Sequence, residues 1–278
     1  MPEGPEIRLA ADRIAKVLVG DELVETYFAF PKLKRFEKQL TGTTVDAIDT
    51  RGKAMLTRFS NGLTMYSHNQ LYGRWYTTRG DKLPNTKRSL RVALHTETHS
   101  AWLFSASDVD VLTAKQLDKH PFLNRVGPDI LDPTLTPARV RERLKASQFC
   151  RRSFGALYLD QAFLAGIGNY LRSEILFTAG VHPASRPADL DDATLLKLGR
   201  ETLKLSRRSY RTRGLTVTDS MARQAKAEGL TYGQYRFWVF GREGKECLTC
   251  GSTIERTSVG SRGLFLCNRC QPLIQTGT

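Results

Sequence analysis

No apolar run in these 278 residues approaches the roughly 18 that a membrane span needs, so the sequence offers no transmembrane helix. The opening Met-Pro-Glu-Gly-Pro-Glu has neither a basic segment nor an apolar stretch, which excludes a secretory signal peptide. With neither address, the chain is expected to stay in the cytoplasm. Cysteine is scarce: five residues, four of them clustered near the end, do not make a disulfide-stapled scaffold. Internal repeats are absent. Acidic residues are in short supply, 28 against 42 basic ones, giving a net charge of +14 and a pI near 9.8. Such a surplus favours a polyanionic partner, because each neutralised phosphate releases condensed counterions. A merely soluble basic protein is the plainer alternative. The excess recurs at 32–35, 139–145, 151–152 and 207–213, a spread that suits an extended groove better than a basic tail.

What is present divides the chain in two. Residues 5–19 read as a helix: Pro5 suits the first turn, Glu6 complements the helix dipole, and Ile7, Ala11, Ile14 and Leu18 share one face before Gly20. From about 22 to 115 the period shortens to that of strands. Residues 54–59 and 63–66 flank Asn61-Gly62 as a hairpin, and 91–95 with 101–105 suggest another. One leading helix and several short strands predict a β-sandwich with flanking helices over residues 1–126. The Pro-containing stretch 127–134 reads as a linker. Helical patterns follow at 138–144, 161–164, 170–178 and 193–205, so 135–235 is expected to be a helical domain, with 212–234 a mobile polar loop. Together they make an α+β protein of two domains.

The last segment, 236–272, carries Cys247-x2-Cys250-x16-Cys267-x2-Cys270. Two such knuckles can wrap a tetrahedral ion, and without a secretion signal the spacing reads as one structural zinc. All four ligands come from protein, leaving no open position for metal catalysis. Phe237-Trp238-Val239-Phe240 and Leu264-Phe265-Leu266 alternate like the two strands of a hairpin. Arg262, between the knuckles, lies where a turn could offer it to a phosphate. Cys150 reads as a buried structural thiol.

Four features occur in one order along the chain: Met-Pro-Glu-Gly-Pro-Glu-Ile at the start, Arg51-Gly52-Lys53, Gly166-Ile167-Gly168-Asn169, and the four-cysteine finger. In this the sequence resembles the formamidopyrimidine-DNA glycosylase/endonuclease VIII family. Phe28-Ala-Phe-Pro31, residues 66–73 and residues 121–128 are similar to its bacterial endonuclease VIII branch. The resemblance implies a bifunctional DNA glycosylase and AP lyase of base excision repair, acting as a monomer on double-stranded DNA with damaged bases or abasic sites.

Its residue roles carry over position by position. Loss of Met1 would free the nitrogen of Pro2, an amine ordinarily titrating near 7.7 to 8.0 and so partly nucleophilic at neutral pH. By resemblance it attacks the sugar C1′, expels the base and forms an iminium. Glu3 resembles the general acid. Lys53 matches the lysine assisting β-elimination, although a lone strand lysine is usually solvated. Arg262 matches the finger arginine tied to phosphate binding and δ-elimination. Asn169 and Arg125 would clamp the backbone, Asn169 within the helix–two-turn–helix element. Glu174 either orients that element or is an ordinary helix-surface acid. Gln70, Leu71 and Tyr72 combine an amide, a branched aliphatic and an aromatic, which can fill the gap left by an extruded base. The triplet is similar to that of the endonuclease VIII branch, and this resemblance implies oxidised pyrimidines as substrate; 8-oxoguanine and formamidopyrimidines are the alternative, as are a non-catalytic damaged-DNA-binding module and a zinc-ribbon RNA-binding protein. Residues 208–234 are longer than the resemblance leads one to expect.

Overall fold

The computed structural model describes residues 2–273; Met1, on whose loss the free amine depends, lies outside them. The chain divides between Val126 and Gly127 into two compact units. Among the described residues, no helix is long and apolar enough to cross a membrane.

The first unit opens with α1 (Gly4–Leu18). Extended Glu3 precedes it, its N–H donating to the Glu6 carboxylate at 2.9 Å, and Pro5 fits the first turn. Ile7, Ala10, Ala11, Ile14 and Leu18 form one buried face. Each large aliphatic side chain there contributes roughly 1.5–3 kcal/mol on burial, so a charge at Ile14 would undo the packing. The following elements are β1 (Glu25–Phe28), α2 (Arg35–Leu40), β2 (Val45–Arg51), β3 (Ala54–Phe59), β4 (Thr64–His68), β5 (Arg74–Arg79), β6 (Leu90–His95), β7 (His99–Phe104), β8 (Asp108–Leu112) and α3 (Ala114–Leu117). They build two four-stranded antiparallel sheets, ordered β1-β6-β7-β5 and β2-β3-β4-β8. Phe28, Trp75, Leu94 and Leu103 from one sheet join Val45, Met55, Phe59, Met65 and Val111 from the other, with the apolar face of α1, in one core. This is the expected sandwich. Both expected hairpins form, the first closing where Phe59 N–H donates to the Leu63 carbonyl at 3.0 Å. The strand period hid α2, whose Phe36 and Leu40 bury one side of a helix too short to show a period.

In the second unit, residues 127–134 run within the packed body, with Ile130 fully buried and Asp129 bridging Ala165. Thr136 caps α4 (Pro137–Lys145), with Pro137 in the first turn. Then come α5 (Phe154–Leu157), α6 (Asn169–Ala179), α7 (Asp192–Arg211), α8 (Asp219–Ala227), α9 (Tyr232–Tyr235), β9 (Glu255–Val259) and β10 (Arg262–Leu266). Asp191 caps α7, whose Leu195, Leu198, Leu203 and Leu205 are buried, and α7 packs on both α4 and α6.

Three local expectations fail for identifiable reasons. Residues 161–164 are turns rather than helix, because Asp160 Oδ1 accepts from Ala162 N–H and Gln161 Nε2 donates to the carbonyls of Leu159 and Ile167. The segment 212–234 is not a bare loop: Thr218 caps α8, Thr231 precedes α9, and Arg208 holds Asp219 at 2.7 Å and the Val217 carbonyl at 2.7 Å. Residues 237–240 form no strand. β10 pairs instead with β9, after the first knuckle, joined by the Gly260-Ser261 turn.

Candidate active site and nucleic-acid interface

The residues singled out from the sequence fall into two groups, one in each unit. In the first unit, Glu3 occupies the cap of α1 and is 2 % exposed. Lys53 lies with Gly52 in the two-residue turn joining β2 to β3, Arg51 pairing with Ala54. Gly52 takes φ +61°, which the first position of such a turn requires and which a Cβ disfavours. Lys53 is 7 % exposed, so the solvated reading of this lysine is wrong. Its charge reaches the neighbouring His68 ring. Burial is the main force holding that imidazole below its ordinary value; Asp108 opposes it and Lys53 adds to it.

Gln70, Leu71 and Tyr72 sit in the loop after β4. Leu71 and Tyr72 are 55 % and 69 % exposed, as a wedge would need and a buried strand end would not allow. The loop is tightly made: Gly73 N–H donates to the Asn69 carbonyl at 2.7 Å, and a Cβ on Gly73 would lie 2.6 Å from Asn69 backbone atoms. Gln70 has φ +49° and donates its N–H to His68 Nδ1 at 3.0 Å and its side-chain Nε2 to Asp108 Oδ2 at 3.3 Å. Arg88 Nη1 holds the Tyr72 carbonyl at 2.6 Å. A cleft of about 260 Å³ brings Pro2 together with Asn69, Leu71, Tyr72, Arg74 and Arg88. Arg125 is near the end of this unit, its Nε donating to the Pro121 carbonyl at 2.9 Å.

In the second unit, Asn169 begins α6 directly after Gly168. Its Nδ2 donates to the Gly263 carbonyl at 2.8 Å, which ties the turn before α6 to the residue following Arg262. Arg172, fully buried, holds the Asn169 side-chain oxygen at 2.5 Å, the Gly155 carbonyl at 2.7 Å and the Gly263 carbonyl at 3.3 Å. Phe265 N–H donates to Ser173 Oγ at 3.3 Å, adding a second tie between α6 and β10. Arg262 itself is exposed at the start of β10.

Glu174 is not a surface acid. It is fully buried and accepts the N–H groups of Trp238, Val239 and Phe240 at 2.8, 2.9 and 2.9 Å, together with the Thr216 hydroxyl. Burial pushes its carboxyl upward, and these donors pull it back. With their N–H groups spent on this carboxylate, residues 238–240 have none to give a strand partner. Arg172, Asp108 and Arg88, which hold these loops in place, were not singled out from the sequence. For Arg172 the available signal was in α6, where Arg172-Ser173-Glu174 stand between the apolar pairs Tyr170-Leu171 and Ile175-Leu176.

The four finger cysteines meet as predicted. Their sulfur atoms all lie within 4.8 Å of one another, with Cys247–Cys270 at 3.9 Å and Cys250–Cys267 at 3.5 Å. Tetrahedral zinc with bonds of about 2.3 Å separates its sulfurs by roughly 3.8 Å, so the donor set fits one structural zinc. Hydrogen bonds from Ser252 draw the Cys250 thiol down to about 6, whereas burial raises Cys267 and Cys270. Like charges this close require a cation before all four can ionise. Gln271, fully buried, accepts from Cys267 N–H at 3.1 Å and donates to the Val181 carbonyl at 2.8 Å, anchoring the second knuckle. Cys150 is half-buried, its Sγ 3.8 Å from the Ser147 carbonyl.

Comparison with known proteins agrees with this arrangement. Residues 1–108 match the formamidopyrimidine-DNA glycosylase N-terminal domain, 126–220 its H2TH domain, and 244–273 the zinc finger found in FPG and IleRS. The chain is 50 % identical over 271 residues to Endonuclease 8 of Salmonella paratyphi B and to that of Salmonella heidelberg, covering 98 % of this chain and 100 % of each relative. Among solved structures, Lactococcus lactis formamidopyrimidine-DNA glycosylase bound to abasic-site DNA superposes with a TM-score of 0.80 at 20 % identity, covering 98 % of this chain and all of that one. Its complex with N7-benzyl-Fapy-dG DNA gives 0.81 over the same shares. At that identity these two bear on the fold. With the full-length relatives and the three matched domains, they place the chain in the formamidopyrimidine-DNA glycosylase/endonuclease VIII family of DNA glycosylase/AP lyases.

Proposed function

We propose that this chain excises oxidised pyrimidines from double-stranded DNA and cuts the strand at the resulting site by β,δ-elimination. The observation that carries this reading is the cleft that places Pro2 beside Leu71 and Tyr72, the nucleophile's residue beside the residues that would fill the vacated stack.

In this reading Met1 is removed and the Pro2 nitrogen attacks C1′ of the damaged nucleotide. The C1′–base bond breaks, the base leaves with a proton, and an iminium links Pro2 to the sugar. Glu3, buried at the head of α1, gives a proton to the ring oxygen as the sugar opens. Lys53 assists β-elimination of the 3′ phosphate and Arg262 the subsequent δ-elimination. Asn169 and Arg125 hold the flanking backbone, a task suited to an amide at a helix N-terminus and to a guanidinium. The zinc is structural: Cys247, Cys250, Cys267 and Cys270 use all four positions, so its part is to shape the hairpin that carries Arg262.

Residues 1–126 then form the catalytic domain, 135–235 the helical DNA-binding domain and 236–272 the finger. The protein works as a monomer in the cytoplasm on the cell's own DNA.

Parallel nicking assays on duplexes carrying thymine glycol or 8-oxoguanine test the substrate. Faster cleavage of thymine glycol supports the reading. Faster cleavage of 8-oxoguanine transfers the same chemistry to purine lesions and overturns the pyrimidine assignment.

A further inference from the structure

The wedge loop carries one hydrogen bond that its assigned task leaves unused. Gln70 Nε2 donates to Asp108 Oδ2 at 3.3 Å, and the Tyr66 hydroxyl donates to the same oxygen at 3.4 Å. Asp108 begins β8 directly opposite His68, the residue whose Nδ1 accepts the Gln70 backbone N–H. Gln70 is thus held from both its backbone and its side chain, at a positive φ that a non-glycine residue adopts at a cost. A carboxylate only accepts. Facing Asp108, the amide must therefore turn its nitrogen inward, because its oxygen would be repelled. The side-chain carbonyl oxygen of Gln70, with two lone pairs, is thereby turned away from Asp108, with the second amide N–H at its side.

We propose that Asp108 is a positioning residue that fixes the Gln70 amide carbonyl-outward, and that this makes guanine the preferred base opposite the lesion. Guanine alone among the four bases sets two adjacent donors, N1–H and the N2 amino group, on its pairing edge. One carbonyl oxygen can accept both. Adenine and cytosine each offer one amino donor beside an acceptor, and thymine one N–H between two carbonyls. A guanine opposite the lesion means that the damaged base began as cytosine. The substrate class within the pyrimidine reading is therefore oxidised cytosines ahead of oxidised thymines. This rests on Gln70 acting at the orphaned base, as proposed above.

The test uses full-length protein and duplexes with an abasic site opposite guanine, adenine, cytosine or thymine, so that base excision does not enter. Each rate is divided by the rate of the same variant on single-stranded abasic DNA, which has no opposite base; a general structural defect moves both and cancels. The expected wild-type preference for guanine over adenine is about fivefold, the scale of one net hydrogen bond. Asp108→Asn can donate to the Gln70 oxygen and frees the amide to turn, so the ratio falls towards one, as it does in Asp108→Ala. The exchanged pair Gln70→Glu with Asp108→Asn again leaves an acceptor outward, and the guanine preference returns. A wild-type ratio near one, or a preference retained in Asp108→Asn and Asp108→Ala but lost in Gln70→Ala, overturns the role of Asp108. A preference that survives Gln70→Ala overturns instead the placement of Gln70 at the orphaned base.

Discussion

Asn169 and Gly263 are joined by a side-chain hydrogen bond of 2.8 Å across 94 residues of sequence. The bond links the start of α6 to the finger residue next to Arg262. With Arg172 holding its oxygen, the Asn169 amide spends one N–H on Gly263, and in the role proposed above its second N–H meets a phosphate. Replacing Asn169 by Ala is expected to weaken abasic-duplex binding about tenfold, comparable to removing one charge-assisted hydrogen bond. Fluorescence anisotropy across a salt series checks this. The neutral amide releases no counterion, so the variant should bind more weakly at every salt concentration with the slope of log K against log salt unchanged. Arg125→Ala, which removes a charge, should instead make that slope shallower by roughly 0.9.

Glu174 stabilises the second unit by satisfying three peptide N–H groups at once, that of Val239 buried and those of Trp238 and Phe240 partly so. Glu174→Ala leaves them without an acceptor and is expected to cost at least about 3 kcal/mol in urea unfolding. Glu174→Gln keeps one acceptor oxygen and should lose less. Trp238 fluorescence reports the release of residues 237–240.

Removing zinc should disorganise the finger while leaving the β-sandwich folded. A chelator is expected to release one equivalent of zinc, abolish DNA binding and leave the strand signature of the first unit in circular dichroism. Cys267→Ser should act in the same direction, because three thiolates bind zinc far less tightly than four.

His68 gives the first unit a pH dependence. Its pKa in the folded state lies below the unfolded value of about 6.5, chiefly through burial. When pH falls through 6.5 the unfolded chain takes up a proton that the folded one refuses, so stability present above that value declines until the folded value is passed. The melting temperature should drop between pH 7.5 and pH 5.5, and His68→Gln should flatten that part of the curve.

Much of this was legible in the sequence because local chemistry dictated it. Cys247 to Cys270 are spaced by the demands of one ion. The start of α1 is written in Pro5 and Glu6. Other features depend on partners far along the chain. Lys53 reads as a solvated strand lysine until the fold buries it, and Glu174 as a surface acid until 238–240 wrap around it. The strand predicted at 237–240 fails for the same reason, since alternation cannot reveal that a distant carboxylate claims the peptide groups. Segment 212–234 reads as a loop from its polarity, yet Thr218, Thr231 and Arg208 supply the caps and the anchor that make helices of it.

The central claim is that the Pro2 nitrogen is the nucleophile, and borohydride trapping on abasic-site DNA tests it most directly. Protein whose intact mass shows it to begin at Pro2 should form a covalent adduct, and peptide mapping should place the added mass on Pro2. Protein retaining Met1 should form none, its proline nitrogen being an amide. An adduct mapped to Lys53, or trapping undiminished in the Met1-retaining protein, would contradict that claim.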